Sequence, residues 1–195
     1  MYAFTHKNKP PQIAANLCVT TWFDQKITTD NNLNITDNGE IDVTLKLAII
    51  GCGTKATQYI QTWIVRSDIE LVAIMDPNTK AMDNVCNIAQ EQQKTAPVCY
   101  TNWQQLLQEN AKQLNAVYIC TPHASHAEQA LLALELGLDV LLEKPMVTSV
   151  PEAEALAAAQ QKSGKALVVA YQGGLSPLVS ELKDAIAKQT YGPLV

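Results

Sequence analysis

From residue 43 onward, short apolar runs alternate with longer mixed segments, and this alternation predicts an α/β fold: a doubly wound, Rossmann-like parallel sheet covered by helices on both faces. Two segments make the prediction specific. In 45–56, LKLAIIGCGTKA, a hydrophobic strand runs directly into Gly51-x-Gly53-x-x-Ala56. In 69–75, IELVAIM, a second apolar strand ends in Asp76, about 25 residues beyond Gly51.

Taken in order, strands are expected at 45–50, 69–75, 97–100, 115–120, 139–142 and 166–170, each an apolar run. Helices are expected near 54–65, 79–93, 102–110, 124–136, 152–163 and 177–189. The first helix leaves the glycine turn, and the second follows Asp76-Pro77-Asn78, a good turn sequence. Thr101-Asn102 offers an N-cap to the third. Gly137 stops the fourth; Ser149 and Pro151 suit the start of the fifth, and Gly164 its end. Strand, helix, strand in this order requires right-handed crossovers, and ligands in such sheets collect at the carboxyl ends of the strands.

The glycine turn suits the pyrophosphate of a dinucleotide. Gly51 permits a tight strand-to-helix turn, Gly53 lets the backbone approach phosphates closely, and Ala56 is small enough for the helix to pack on the strand. The helix start adds free N–H groups with partial positive charge. A plain strand-helix connector has the same look, so the surroundings decide. Asp76 stands about where the fingerprint places its ribose-binding acid; a carboxylate there accepts from both ribose hydroxyls and repels a 2′-phosphate, favouring NAD over NADP. The alternative for Asp76 is local, as part of the turn before the next helix.

Composition limits the function classes. The 195 residues, 47% of them hydrophobic, suffice for one domain with something extra or for two small ones. A net charge of −5 without a Lys/Arg cluster argues against nucleic acid or an anionic membrane as main partner, and no apolar run is long enough for a transmembrane helix. The five cysteines, Cys18, Cys52, Cys86, Cys99 and Cys120, show no C-x-x-C spacing; reduced, buried thiols in a cytoplasmic protein are expected, and no metal site. Residues 1–42, rich in Asn, Thr and Asp, read as a flexible extension without a convincing signal or transit peptide.

The stretch 118–145, YICTPHASHAEQALLALELGLDVLLEKP, contains in order an apolar strand, Thr121-Pro122, His126, Gly137, a second strand and Glu143-Lys144-Pro145. With the glycine turn, and with the later Tyr171, Pro177 and Tyr191-Gly192-Pro193, it resembles the Gfo/Idh/MocA family of NAD(P)-dependent sugar and polyol dehydrogenases over roughly 45–195. The resemblance implies a cofactor site in which Gly51, Gly53 and Ala56 face the pyrophosphate and Asp76 the adenosine ribose. It further implies that Thr121, Pro122 and His123 border the nicotinamide end, that Glu143 reaches its ribose, and that Lys144 points at substrate. Lys144 is the catalytic candidate, because an ammonium beside the reacting carbinol can polarise oxygen and take part in proton transfer. Its alternative is a surface lysine paired with Glu143. His126 is expected to hold the loop rather than touch substrate.

The implied domains are 1–42 as extension, 43–170 as dinucleotide-binding domain, and 171–195 as a connecting helix with the start of a truncated second α+β domain. Two departures from the family pattern stand out: the chain stops at Val195, before a second domain with its catalytic histidine, and Gly173-Gly174 occupies a place where relatives often have arginine. The expected function is hydride transfer between a nicotinamide and a carbinol carbon of a sugar or polyol, the chain supplying the cofactor part. The competing class is a non-catalytic NAD-binding or sensor module. Pro193-Leu194-Val195 is expected to leave an apolar edge that favours self-association.

Overall fold

The computed structural model describes residues 34–35, 41–42, 44–171 and 176–192. Two short strands, β1 (Asn34–Ile35) and β2 (Ile41–Asp42), pair antiparallel. They are the described part of the expected extension. The main sheet then alternates with helices: β3 (Leu45–Ile50), α1 (Thr54–Trp63), β4 (Ile69–Met75), α2 (Thr79–Glu91), β5 (Val98–Tyr100) and α3 (Trp103–Asn110) form its first half. The second half is β6 (Ala116–Ile119), a 3-10 turn (His123–Ser125), α4 (His126–Glu135), β7 (Asp139–Leu142), α5 (Val150–Ser163) and β8 (Leu167–Val169).

The six strands run parallel in the order β5-β4-β3-β6-β7-β8. The chain starts in the middle, winds outward through β4 to β5, then returns to lay β6 on the other side of β3. That reversal leaves a crevice at the carboxyl ends of β3 and β6, where such sheets take ligands. The central strands are apolar throughout because both of their faces are covered: every residue of β6 and β7 is buried, and Leu47 to Ile50 of β3 are inaccessible. α1, α2 and α3 each bury one stripe, for example Ala56, Tyr59, Ile60 and Trp63 of α1, or Met82, Val85 and Ala89 of α2.

Local chemistry sets the helix ends. The Asn78 side chain accepts from the Lys80 N–H, and that of Asn102 from the Gln105 N–H. Ser149 and Glu152 form a reciprocal capping box, and Gly164 ends α5 in the left-handed region at φ 67°. The expected elements all form, with ends shifted by one or two residues; at 124–136 the chain first makes the 3-10 turn and becomes α-helical at His126.

Residues Asp30–Ala170 make up one compact unit, and Tyr171 onward falls in another. Within the latter, α6 (Pro177–Ala187) starts with proline in its first turn. Gly173-Gly174 and Pro193-Leu194-Val195 lie outside the described residues.

One expectation is corrected. The described cysteines are free thiols, but only Cys52 is buried; Cys86 and Cys120 are partly exposed and Cys99 is exposed. The cause is position: β5, which carries Cys99, is a three-residue edge strand paired on one side only.

Candidate dinucleotide-binding site

The turn after β3 has two glycines with different surroundings. Gly51, at φ +95°, donates its N–H to the Met75 carbonyl at 2.8 Å, and a Cβ there would collide with the carbonyl of Cys120, just past β6. Only glycine allows β3 and β6 to approach this closely. Gly53 is the extended N-cap of α1, and the space a Cβ would enter is empty to 4 Å. No side chain caps this helix and no acidic residue sits in its first turn. The first N–H groups of the helix therefore have no intrahelical acceptors; that of Ala56 meets the Cys120 sulfur, while Thr54 and Lys55 are exposed. Ala56 is fully buried, as close packing of α1 requires.

Asp76 closes this loop from the β4 side. One carboxylate oxygen accepts the Cys52 N–H at 2.8 Å, the other the Asn78 N–H at 2.8 Å. The same group is thus both the turn residue before α2 and a clamp on the glycine loop. A carboxylate has about four acceptor positions, so two remain for a ligand. Burial, together with the Asp76 charge, pushes the Cys52 thiol up to about 12.

On the other side of the crevice, Glu143 is 6% exposed at the end of β7. Its carboxylate accepts from the Tyr118 hydroxyl at 2.9 Å and from the Lys144 N–H at 3.2 Å. Burial, with Cys120 and Glu143 adding to it, drives the Tyr118 phenol far above its ordinary range, so it stays a donor. Tyr118 is fixed by edge-on contacts with Tyr59 and Trp63 of α1, whose rings stack on each other at 5.3 Å. Neither Tyr118 nor these partners were singled out from the sequence. The only signal was a polar tip in an otherwise apolar strand.

Thr121 donates its hydroxyl to buried Gln129 at 2.6 Å. Pro122 and His123 are exposed on the 3-10 turn. His126 is inaccessible, its Nδ1 2.8 Å from the Pro145 carbonyl and its Nε2 2.9 Å from the Thr121 carbonyl. It bridges the loops after β6 and β7. Lys144 is exposed, precedes a cis peptide to Pro145, and its ammonium makes no ion pair with Glu143. The nine sequence-predicted residues therefore gather on one edge, from Asp76 through the glycine loop to Lys144. Other concavities, one lined by Thr44, Ser67, Lys94 and Gln113 and one between α4 and α5, lie apart from these residues. No described helix is long and apolar enough to cross a membrane.

Comparison with known proteins agrees with this architecture. Residues 45–171 match the family model described as "Oxidoreductase family, NAD-binding Rossmann fold". Oxidoreductase P35 of Formosa agariphila is 32% identical over 148 residues, covering 75% of this chain and 44% of that protein. The fold is shared with myo-inositol 2-dehydrogenase from Lactobacillus plantarum, with TM-score 0.68 and 19% identity over 78% of this chain and 43% of the other. It is also shared with the WlbA dehydrogenase of Chromobacterium violaceum, solved with NADH and UDP-GlcNAcA, with TM-score 0.65 and 23% identity over 77% and 42% of the two chains. The chain spans less than half the length of each of these relatives. A parallel sheet wound outward from a glycine turn, with the family model spanning it from β3 to past β8, places this chain in the Gfo/Idh/MocA family of oxidoreductases.

Proposed function

We propose that this chain forms the cofactor-binding part of an NAD-dependent dehydrogenase acting on a sugar or polyol. The observation that carries the proposal is the uncapped start of α1: a helix terminus with exposed Thr54 and Lys55, open space at Gly53 and Asp76 tied to the same loop. These residues fit a dinucleotide. The α1 terminus holds the pyrophosphate and the free acceptor positions of Asp76 hold the adenosine ribose hydroxyls. Glu143, kept in place by Tyr118, receives the second ribose, with Thr121, Pro122 and His123 along the same border. When bound, the nicotinamide supplies a hydride acceptor or donor. Lys144, at the open end of β7, polarises the substrate oxygen and moves the hydroxyl proton. The substrate class is supported by relatives named for myo-inositol and solved with a UDP-sugar.

Calorimetric titration with NAD and NADP tests the cofactor assignment. Asp76 predicts NAD the tighter by about tenfold or more, since a 2′-phosphate would meet its charge. Equal or tighter NADP would remove the ribose role and give the phosphate to Asn78 or Lys80. Nicotinamide reduction assayed with inositols and aldoses tests the rest: turnover lost in Lys144→Ala supports the assignment of that lysine. As the cofactor part alone, this chain is expected to bind the dinucleotide with little or no turnover; robust saturable turnover would show that it carries a complete site.

A further inference from the structure

Away from the ligand edge, α2 and the edge strand β5 bring two thiols together. Cys86 Sγ and Cys99 Sγ are 3.6 Å apart although 13 residues separate them. Both are held by elements the core has fixed. Cys86 follows Val85 on a helix anchored through Met82, Val85 and Ala89, and Cys99 pairs in register with Ile74 of β4. Cys99 is exposed and Cys86 partly so, which leaves the pair open to a small reagent. Cys52 and Cys120 sit instead beside the glycine loop, Cys52 donating weakly to the Met75 carbonyl.

We propose that Cys86 and Cys99 form a reversible intramolecular disulfide, a thiol modification site separate from the cofactor edge. The oxidant is a low-molecular-weight disulfide of the glutathione type. The Cys99 thiolate attacks one of its sulfurs, forming a mixed disulfide and expelling one thiolate. Cys86, as thiolate, then attacks Cys99 Sγ; the Cys86–Cys99 bond forms, the mixed disulfide breaks and the second thiolate leaves. The protein loses two protons and two electrons, and one disulfide is reduced to two thiols. Closure from 3.6 Å to the length of a disulfide bond requires a movement of roughly 1.5 Å, within reach of side-chain rotation.

Burial, the contact with Cys86 and the charge of Asp83 push the Cys99 thiol up to about 11. Little thiolate exists at neutral pH, so exchange is slow and the site reports a sustained redox poise rather than a burst of oxidant. The bond would tie α2, which starts just after Asp76, to β5, whose Tyr100 carbonyl accepts the Asp76 N–H at 3.2 Å. It would brace the turn that carries Asp76.

The test is incubation of the full chain for hours with mixtures of reduced and oxidised glutathione, followed by alkylation in denaturant, digestion and mass spectrometry. The proposal predicts that under oxidising mixtures most molecules lose two hydrogens and yield a Cys86–Cys99 cross-linked peptide, reversed by dithiothreitol. It also predicts a thermal midpoint about 5 °C above that of the reduced form. Cys86→Ser should abolish the cross-link and leave Cys99 carrying glutathione. Glutathione on Cys99 of the unmutated chain without the cross-link, a cross-link to Cys18 instead, or no oxidation at the most oxidising ratio would each overturn it.

Discussion

Gly51 and Gly53 are glycine for different reasons, and the difference can be measured. At Gly51 the backbone has a positive φ and the Cys120 carbonyl, just past β6, stands where a side chain would begin. Gly51→Ala is expected to cost about 2–4 kcal/mol of folding stability in urea titration. At Gly53 the position is open, and Gly53→Ala should cost only about 0.5–1 kcal/mol as an N-cap change. Equal losses at both positions would mean that Gly53 too is required by the fold. Cys52 offers a second test. Its thiol is raised from 9.0 to about 12, so between these values the folded chain keeps a proton that the unfolded chain loses. Its contribution to stability is present below pH 9 and lost as pH rises toward 12. Native Cys52 should be alkylated by iodoacetamide at pH 8 more slowly than exposed Cys99, itself a slow thiol; equal rates would contradict its burial. The turn at both glycines and the strand-end position of Asp76 were legible in the sequence, because they follow from local spacing. Tyr118 was not, because its partner Glu143 is 25 positions away and the two meet only through the pairing of β6 with β7.

At the scale of elements, the central strands were legible because burial on both faces forces unbroken apolar runs, and the helix ends because Asn78, Asn102, Ser149 and Gly164 carry their own capping chemistry. The thiols of α2 and β5 were placed wrongly in the core because an apolar run does not reveal which strand becomes the edge. The start of α4 was blurred by the 3-10 turn, which lets His126 point back into the protein. There it links two loops through the Thr121 and Pro145 carbonyls. A neutral imidazole can donate to only one of them at a time, yet its place between them still sets their spacing. His126→Ala is expected to lose about 2–4 kcal/mol and to speed hydrogen exchange in 121–125 and 143–147 more than elsewhere. His126→Gln, which keeps a donor, should recover part of both. Uniform loss of protection across the sheet would show that His126 acts on the core and not on these loops.

For the whole molecule, the order β5-β4-β3-β6-β7-β8 turns residues far apart in sequence into neighbours along one edge. Alternating strands and helices announced the parallel sheet; the ordered motifs of 118–145 announced the family that the comparison establishes. In the proposed function, the uncapped start of α1 is kept open for a nicotinamide dinucleotide. Titration of NADH into the native protein and into Gly53→Val, with folding of the variant checked by its thermal midpoint, tests this most directly. A branched side chain at Gly53 meets no protein atom within 4 Å at its Cβ and would fill the place of the pyrophosphate. The expected result is saturable binding by the native chain and a loss of affinity of at least about a hundredfold in the folded variant. Binding of NADH with the same affinity by both proteins, or by neither, would contradict it.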